Sequence, residues 1–139
     1  NQMQKGGRFI WYYWVKKAEA FLKNSKDTFT FSGKIKAYKQ LGSSIYHHRK
    51  VTKTIGKNEW FVEDEVIGVK NKVSNQYWHF SEEFKNKLSI IAVDANGKEI
   101  MPIIEQKWYS AYYGVKESSL RLTFATKENI FKTKISFRE

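Results

Sequence analysis

From Asp27 onward the hydrophobic pattern has a period of two. Phe29, Phe31, Gly33, Ile35 and Ala37 alternate with Thr28, Thr30, Ser32, Lys34 and Lys36, the spacing of a strand with one face turned to a core. The alternation returns at Ile45, His47, Arg49 and Val51, at Trp60 and Val62, and at Leu88, Ile90 and Ala92. It appears again at Leu120, Leu122 and Phe124, and at Phe131, Thr133, Ile135 and Phe137. Turn signals separate these runs at Ile55-Gly56-Lys57-Asn58, Asp94-Ala95-Asn96-Gly97 and Thr126-Lys127-Glu128-Asn129. Asn96-Gly97 reads as a two-residue hairpin turn. Short strands at regular intervals predict an all-β fold, an antiparallel β-sandwich of two packed sheets and about ten short strands.

Two segments resist that pattern. The lone proline, Pro102, lies within the run from Ile100 to Glu105; its missing N–H places that strand at a sheet edge or bulge. Between Arg8 and Lys23, the residues Ile10, Tyr13, Trp14, Lys17 and Phe21 also fit a helical stripe, with Ala18 and Ala20 favouring a helix. A strand pair is the preferred reading there. No repeat, low-complexity tract or flexible linker interrupts the chain, so residues 1–139 read as one domain.

Composition narrows the possibilities. Apolar residues make up 41% and aromatics 17% of the sequence, enough to offset chain entropy despite the 28% that are charged. The absence of cysteine removes disulfides, thiolate metal sites and a cysteine nucleophile. The longest apolar run, Phe9 to Val15, falls well short of the roughly 20 residues of a membrane span, and no signal segment precedes it. Aromatic residues follow almost at once on Asn1, the expectation for a processed or artificial N-terminus.

Net charge is +11 and uneven. Residues 1–60 hold 13 Lys and Arg against 3 Asp and Glu, while residues 61–139 hold 12 against 11. One face should attract polyanions such as nucleic acid, anionic membrane or acidic polysaccharide, and the charge does not choose among them. Basic residues beside aromatics, as in Lys34, Lys36, Tyr38 and Lys39, suit stacking and phosphate contact on single-stranded nucleic acid. They suit sugar faces and their carboxylates or sulfates equally. No nucleic-acid recognition motif accompanies them, which ranks that partner low.

Candidate chemistry is sparse. The three histidines are His47, His48 and His79, and neighbours on a strand point to opposite faces, so His47 and His48 cannot share a pocket. A zinc site would need two converging histidines and a carboxylate. Asp64 falls on the face of Trp60 and Val62; a buried carboxylate there requires a partner such as Arg49, which makes a structural ion pair the expected role. Trp108, Tyr109, Ser110, Tyr112 and Tyr113 form a dense aromatic cluster. Tyrosine can serve as acid or base in lyase chemistry, though packing in the core or at a sheet edge is the plainer reading. Phosphate loops, nucleophile elbows, zinc-protease helices and calcium loops are all missing.

Several motifs taken in order carry a resemblance. They are Gly6-Gly7-Arg8-Phe9, Lys16-Lys17-Ala18, Tyr38-Lys39-Gln40-Leu41, His47-His48-Arg49-Lys50-Val51, Trp60-Phe61-Val62-Glu63-Asp64-Glu65-Val66, Trp78-His79-Phe80, and the run from Trp108 to Lys116. Together they resemble the C-terminal β-sandwich of heparinase II/III-like polysaccharide lyases over nearly the whole chain. The resemblance implies a parent protein that pairs an α-helical toroid, absent here, with this sandwich. It implies cleavage of uronate-containing glycans by β-elimination, which requires a group to neutralise the uronate, a base for the C5 proton and an acid for O4.

In that family most catalytic groups come from the helical domain, and the zinc ligands precede the segment resembling Asn1 to Phe9. No catalytic or metal residue is therefore transferred to this chain, and zinc is expected only in the full-length parent. His47 and Arg49 match the family's His-x-Arg strand and His79 its Trp-His-Phe element, with packing as their default role. The residues assigned to glycan contact are His47, Arg49, Trp108, Tyr109, Tyr112 and Tyr113. The expected partners are an acidic polysaccharide and the helical domain of the same parent chain. The resemblance also implies a periplasmic or secreted bacterial protein, with heparan sulfate, alginate and capsular polymers all open as substrates.

Overall fold

The computed structural model describes residues 4–7, 10–15, 18–110 and 112–138. Twelve strands run through them: β1 (Gln4–Gly7), β2 (Ile10–Tyr12), β3 (Ala18–Asn24), β4 (Thr28–Lys36), β5 (Tyr46–Thr54), β6 (Glu59–Ile67), β7 (Ser74–Ser81), β8 (Leu88–Val93), β9 (Glu99–Ile100), β10 (Ile103–Tyr109), β11 (Glu117–Thr126) and β12 (Ile130–Phe137). Ten of them form two antiparallel sheets. The large sheet has the order β3-β4-β5-β6-β12-β8-β9 and the small one β10-β11-β7, while β1 and β2 pair separately. The all-β sandwich read from the alternation is the fold observed.

The core forms where the two sheets overlap. Phe124 of β11 and Ala92 of β8 are fully buried, packed with Phe131 and Leu122. Trp78, Phe80, Ile90 and Ile100 close around them. Removing the fully buried Phe124 ring would cost roughly 3–5 kcal/mol, from its lost burial and the cavity left behind.

Overlap is incomplete, and this overturns one expectation. Phe31 lies opposite Val51 and Phe29 opposite Lys53. Their side chains therefore share the inner face of the large sheet with Val62, which lies opposite Val51. Yet Phe29 and Phe31 are exposed, as is Leu22 beside Phe31 on the edge strand β3. Seven strands face three, so the small sheet covers β6, β12 and β8 and stops short of β3 and β4. Period two correctly identified the apolar side of β4; whether a second layer covers that side is a tertiary matter.

Other local expectations fared variously. Asp94 to Lys98 close the β8–β9 hairpin with a type I turn and a glycine bulge. Asp94 N–H donates to the Lys98 carbonyl, Gly97 N–H to the Asp94 carbonyl, and Gly97 takes φ 80°. The two-residue turn expected at Asn96-Gly97 is thus a longer one, because the Asp94 side chain also accepts from the Asn96 and Lys98 amides and draws them into the loop. Pro102 falls between β9 and β10, each an edge strand, in line with its missing donor. Residues 18–24 are extended but pair with β4 rather than with β2, so the strand pair expected over Arg8 to Lys23 does not form between these elements. Arg8, Phe9, Lys16, Lys17 and Ala111 lie outside the described residues.

Candidate functional site

Three neighbouring strands bring a polar cluster onto the inner face of the sandwich. Register places Arg49 of β5 directly opposite Asp64 of β6, with His47 two residues along on the same face. Gln76 reaches down from β7 of the small sheet. Asp64 is buried and accepts four hydrogen bonds: His47 Nε2 at 2.8 Å and Arg49 Nε at 2.7 Å on Oδ1, Arg49 Nη2 and Gln76 Nε2 at 2.7 Å each on Oδ2. Gln76 Oε1 in turn accepts from the Thr133 hydroxyl at 2.8 Å and the Trp78 indole at 2.9 Å. The Arg49 guanidinium also lies 5.8 Å from the Trp78 ring centre.

Electrostatics follow from this geometry. Burial alone would raise the Asp64 carboxyl, but the hydrogen bonds from His47, Arg49 and Gln76 and the Arg49 charge outweigh it and hold the group well below the usual carboxylate range. The same pairing raises Arg49 against its own burial. An ionised Asp64 with both oxygens doubly occupied has no lone pair left for a substrate proton. The ion pair expected from sequence is therefore the arrangement found.

A cleft of about 370 Å³ opens above this cluster, lined by His47, Arg49 and Asp64 with Tyr38, Lys72 and Tyr77 among others. One wall is the loop after β6. There Gly68 turns with φ 89°, and a Cβ at that position would stand 2.5 Å from the Ser44 carbonyl oxygen. Asn129, itself at φ 57°, ties the loop down: its amide donates to the Val69 carbonyl at 2.9 Å, and its carbonyl oxygen accepts from Ser74 Oγ at 2.7 Å. A second, apolar cavity of about 390 Å³ lies on the other side of Arg49, between Val51, Trp60, Trp78, Ile90 and Ile135.

The remaining predicted residues lie elsewhere. Trp108 and Tyr109 end β10, the outer strand of the small sheet, and Tyr112 and Tyr113 follow in the loop to β11; all four are exposed. Lys116 Nζ sits 4.1 Å from the Trp108 ring centre, a cation and an aromatic face presented together. His47 and Arg49 thus belong to a lined cleft on the large sheet, and the aromatic group to an open edge of the small one. His48 points to the opposite face from His47 and meets Ser32 Oγ at 2.9 Å, as strand geometry requires. Gln76 went unnoticed in the sequence, although a glutamine in step with Trp78 and Phe80 is the signal of a polar group taken into a core.

The described residues do not fit a metal. Among the described residues no group of three His, Cys, Asp or Glu side chains converges. The contact between His47 and Asp64 has a guanidinium on both carboxylate oxygens, which would repel a cation.

Comparison with known proteins gives two findings. The family model described as "Heparinase II/III-like, C-terminal" matches residues 1–138. Among solved structures, the heparan sulfate lyase HepC from Pedobacter heparinus is similar, with a TM-score of 0.70 and 14% identity; the match covers 88% of this chain and 22% of that one. The chain thus spans less than a quarter of the length of that lyase. No curated protein matches the sequence.

Proposed function

The chain belongs to the heparinase II/III-like, C-terminal family, and from that membership we propose that it is the β-sandwich part of a polysaccharide lyase-like protein that cleaves acidic, uronate-containing glycans by β-elimination, supporting the cleft rather than reacting with the sugar. The observation that carries the supporting role is the saturation of Asp64. It is the one buried ionisable side chain among the described residues, and every acceptor position it has is taken. The cluster fixes the distance between sheets and holds Arg49 at the cleft. Base, acid and uronate-neutralising groups are then supplied by the helical domain of the same polypeptide, together with any structural zinc, in a protein working in the periplasm or outside the cell.

The test compares the full-length parent with this chain alone on heparan sulfate, alginate and a capsular uronate polymer, following ultraviolet absorbance of the unsaturated uronate product. The parent should generate absorbance on at least one glycan and the chain alone on none. A rising trace from the chain alone overturns the supporting role; a flat trace from the parent on all three overturns the lyase reading.

The Trp108–Lys116 pair favours a second reading, a stand-alone module that binds acidic polysaccharide. It predicts binding by the chain alone at low salt, weakened as salt screens the basic face and lost in Trp108→Ala. Absence of binding at low salt eliminates it.

A further inference from the structure

Three features meet along one side of the sandwich. The inner face of β3 and β4 exposes a continuous apolar strip of Leu22, Phe29 and Phe31, bordered by the half-buried Val51. The cavity between Val51, Trp60 and Trp78 opens between the sheets next to that strip. Finally, β7 pairs with β11 on one side only among the described residues. The groups that β7 turns away from β11 thus form an unpaired row of N–H and C=O.

The direction of the small sheet relates these features. Its strands advance from β10 through β11 to β7. Meanwhile their contacts below advance across the large sheet, from Ala92 and Phe131 under β11 to Asp64 and Arg49 under β7. The next strand in that series would lie over β5 and β4. It would pair with the free edge of β7, close the mouth of the cavity and cover Phe31 and Phe29. A helix laid on the same strip would bury the apolar residues and leave the β7 edge unpaired.

We propose that the small sheet is completed by extended segments of the same polypeptide from outside these 139 residues, adding alongside β7 over the inner face of β5, β4 and β3. The inference rests on reading the chain as part of a longer lyase-like protein, and not on catalysis by that protein. Its matched family is a C-terminal one, and more than three quarters of the similar lyase lies outside the matched part, so ample chain is available on the N-terminal side. A second copy of the chain is disfavoured by charge. The strip lies within residues 1–60, where 13 Lys and Arg face 3 Asp and Glu, and two such faces would repel one another.

Hydrogen exchange on the full-length protein tests this without any substitution. If β7 is a central strand, consecutive amides from Ser74 to Ser81 should all exchange slowly, within about tenfold of those in β11. Cysteines introduced by Leu22→Cys and Phe31→Cys should react with a thiol reagent about a hundredfold more slowly than one at the fully exposed Tyr113. Fast exchange at every second amide of β7 overturns the proposal, even with slow labelling of the strip, for that result means a helix or a glycan covers it. Protection that disappears on dilution also overturns it, by identifying a second copy as the cover. A parent that fails to cleave glycans and still protects β7 defeats the lyase reading and leaves this one standing.

Discussion

Two carboxylates in this molecule are clamped by arginine at nearly the same distance and differ in almost everything else. Asp64 meets Arg49 Nε at 2.7 Å with its side chain 5% exposed; Glu105 meets Arg121 Nη2 at 2.6 Å with its side chain 34% exposed. The first lies between the sheets, bridged by Gln76 to the small sheet and to Thr133 of β12. The second lies on the outward face of the small sheet, where Lys107 joins Arg121 in pulling it down to about 2. A low carboxyl pKa is thus common to both. Only the buried one has given up its water, so only there does loss of a partner leave a charge with nothing to solvate it.

Substitutions should separate the two. Arg49→Ala is expected to destabilise the domain by about 3–5 kcal/mol, since it leaves the buried Asp64 charge without its guanidinium; chemical denaturation measures it. Acid should then act mainly through Asp64. Because the folded-state value of Asp64 lies below its ordinary 3.8, its contribution is complete above that range and is lost as pH falls through 3.8 toward the lower folded value. A denaturation series between neutral and strongly acid pH should show a steep acid limb that flattens in Asp64→Asn.

Gln76→Leu is a smaller perturbation of the same cluster. It leaves the Thr133 hydroxyl and the Trp78 indole without their acceptor, at a cost of about 1–3 kcal/mol. Glu105→Gln is the smallest: the pair is solvated, so thermal unfolding should be unchanged within error and insensitive to added salt. A Glu105 variant that lowers the melting temperature as far as Gln76→Leu would dissolve the contrast between buried and open pairs.

How much of this could be read beforehand depends on which interaction decides each feature. Strand positions were legible because alternation follows from the pleat, and the Asp64–Arg49 pairing followed once both residues fell on inward positions of strands able to be neighbours. The strand β7 was not among the alternating runs. Its inward residues Gln76, Trp78 and Phe80 include an amide that, besides the neighbouring Trp78 indole, is satisfied by partners 12 and 57 residues away. Exposure of Phe29 and Phe31 was illegible for a different reason, since no local pattern reports how many strands the opposite sheet has. The cleft likewise depends on Asn129 reaching back across 60 residues to Val69, a contact that no spacing announces.

The position of β12 bears on how the protein is made. It is the last strand of the sequence, yet it sits between β6 and β8 in the middle of the large sheet, opposite residues such as Asp64 that are translated far earlier. Until residue 137 leaves the ribosome, β3 to β6 and β8 to β9 remain separate fragments, each with a bare edge. Every pairing that joins them spans a long loop, which slows folding, and the waiting edges invite association with other chains. The large sheet is therefore joined only once β12 is available, and a nascent chain halted before Ile130 should leave the β6 and β8 edges bare and be held by chaperones rather than released folded.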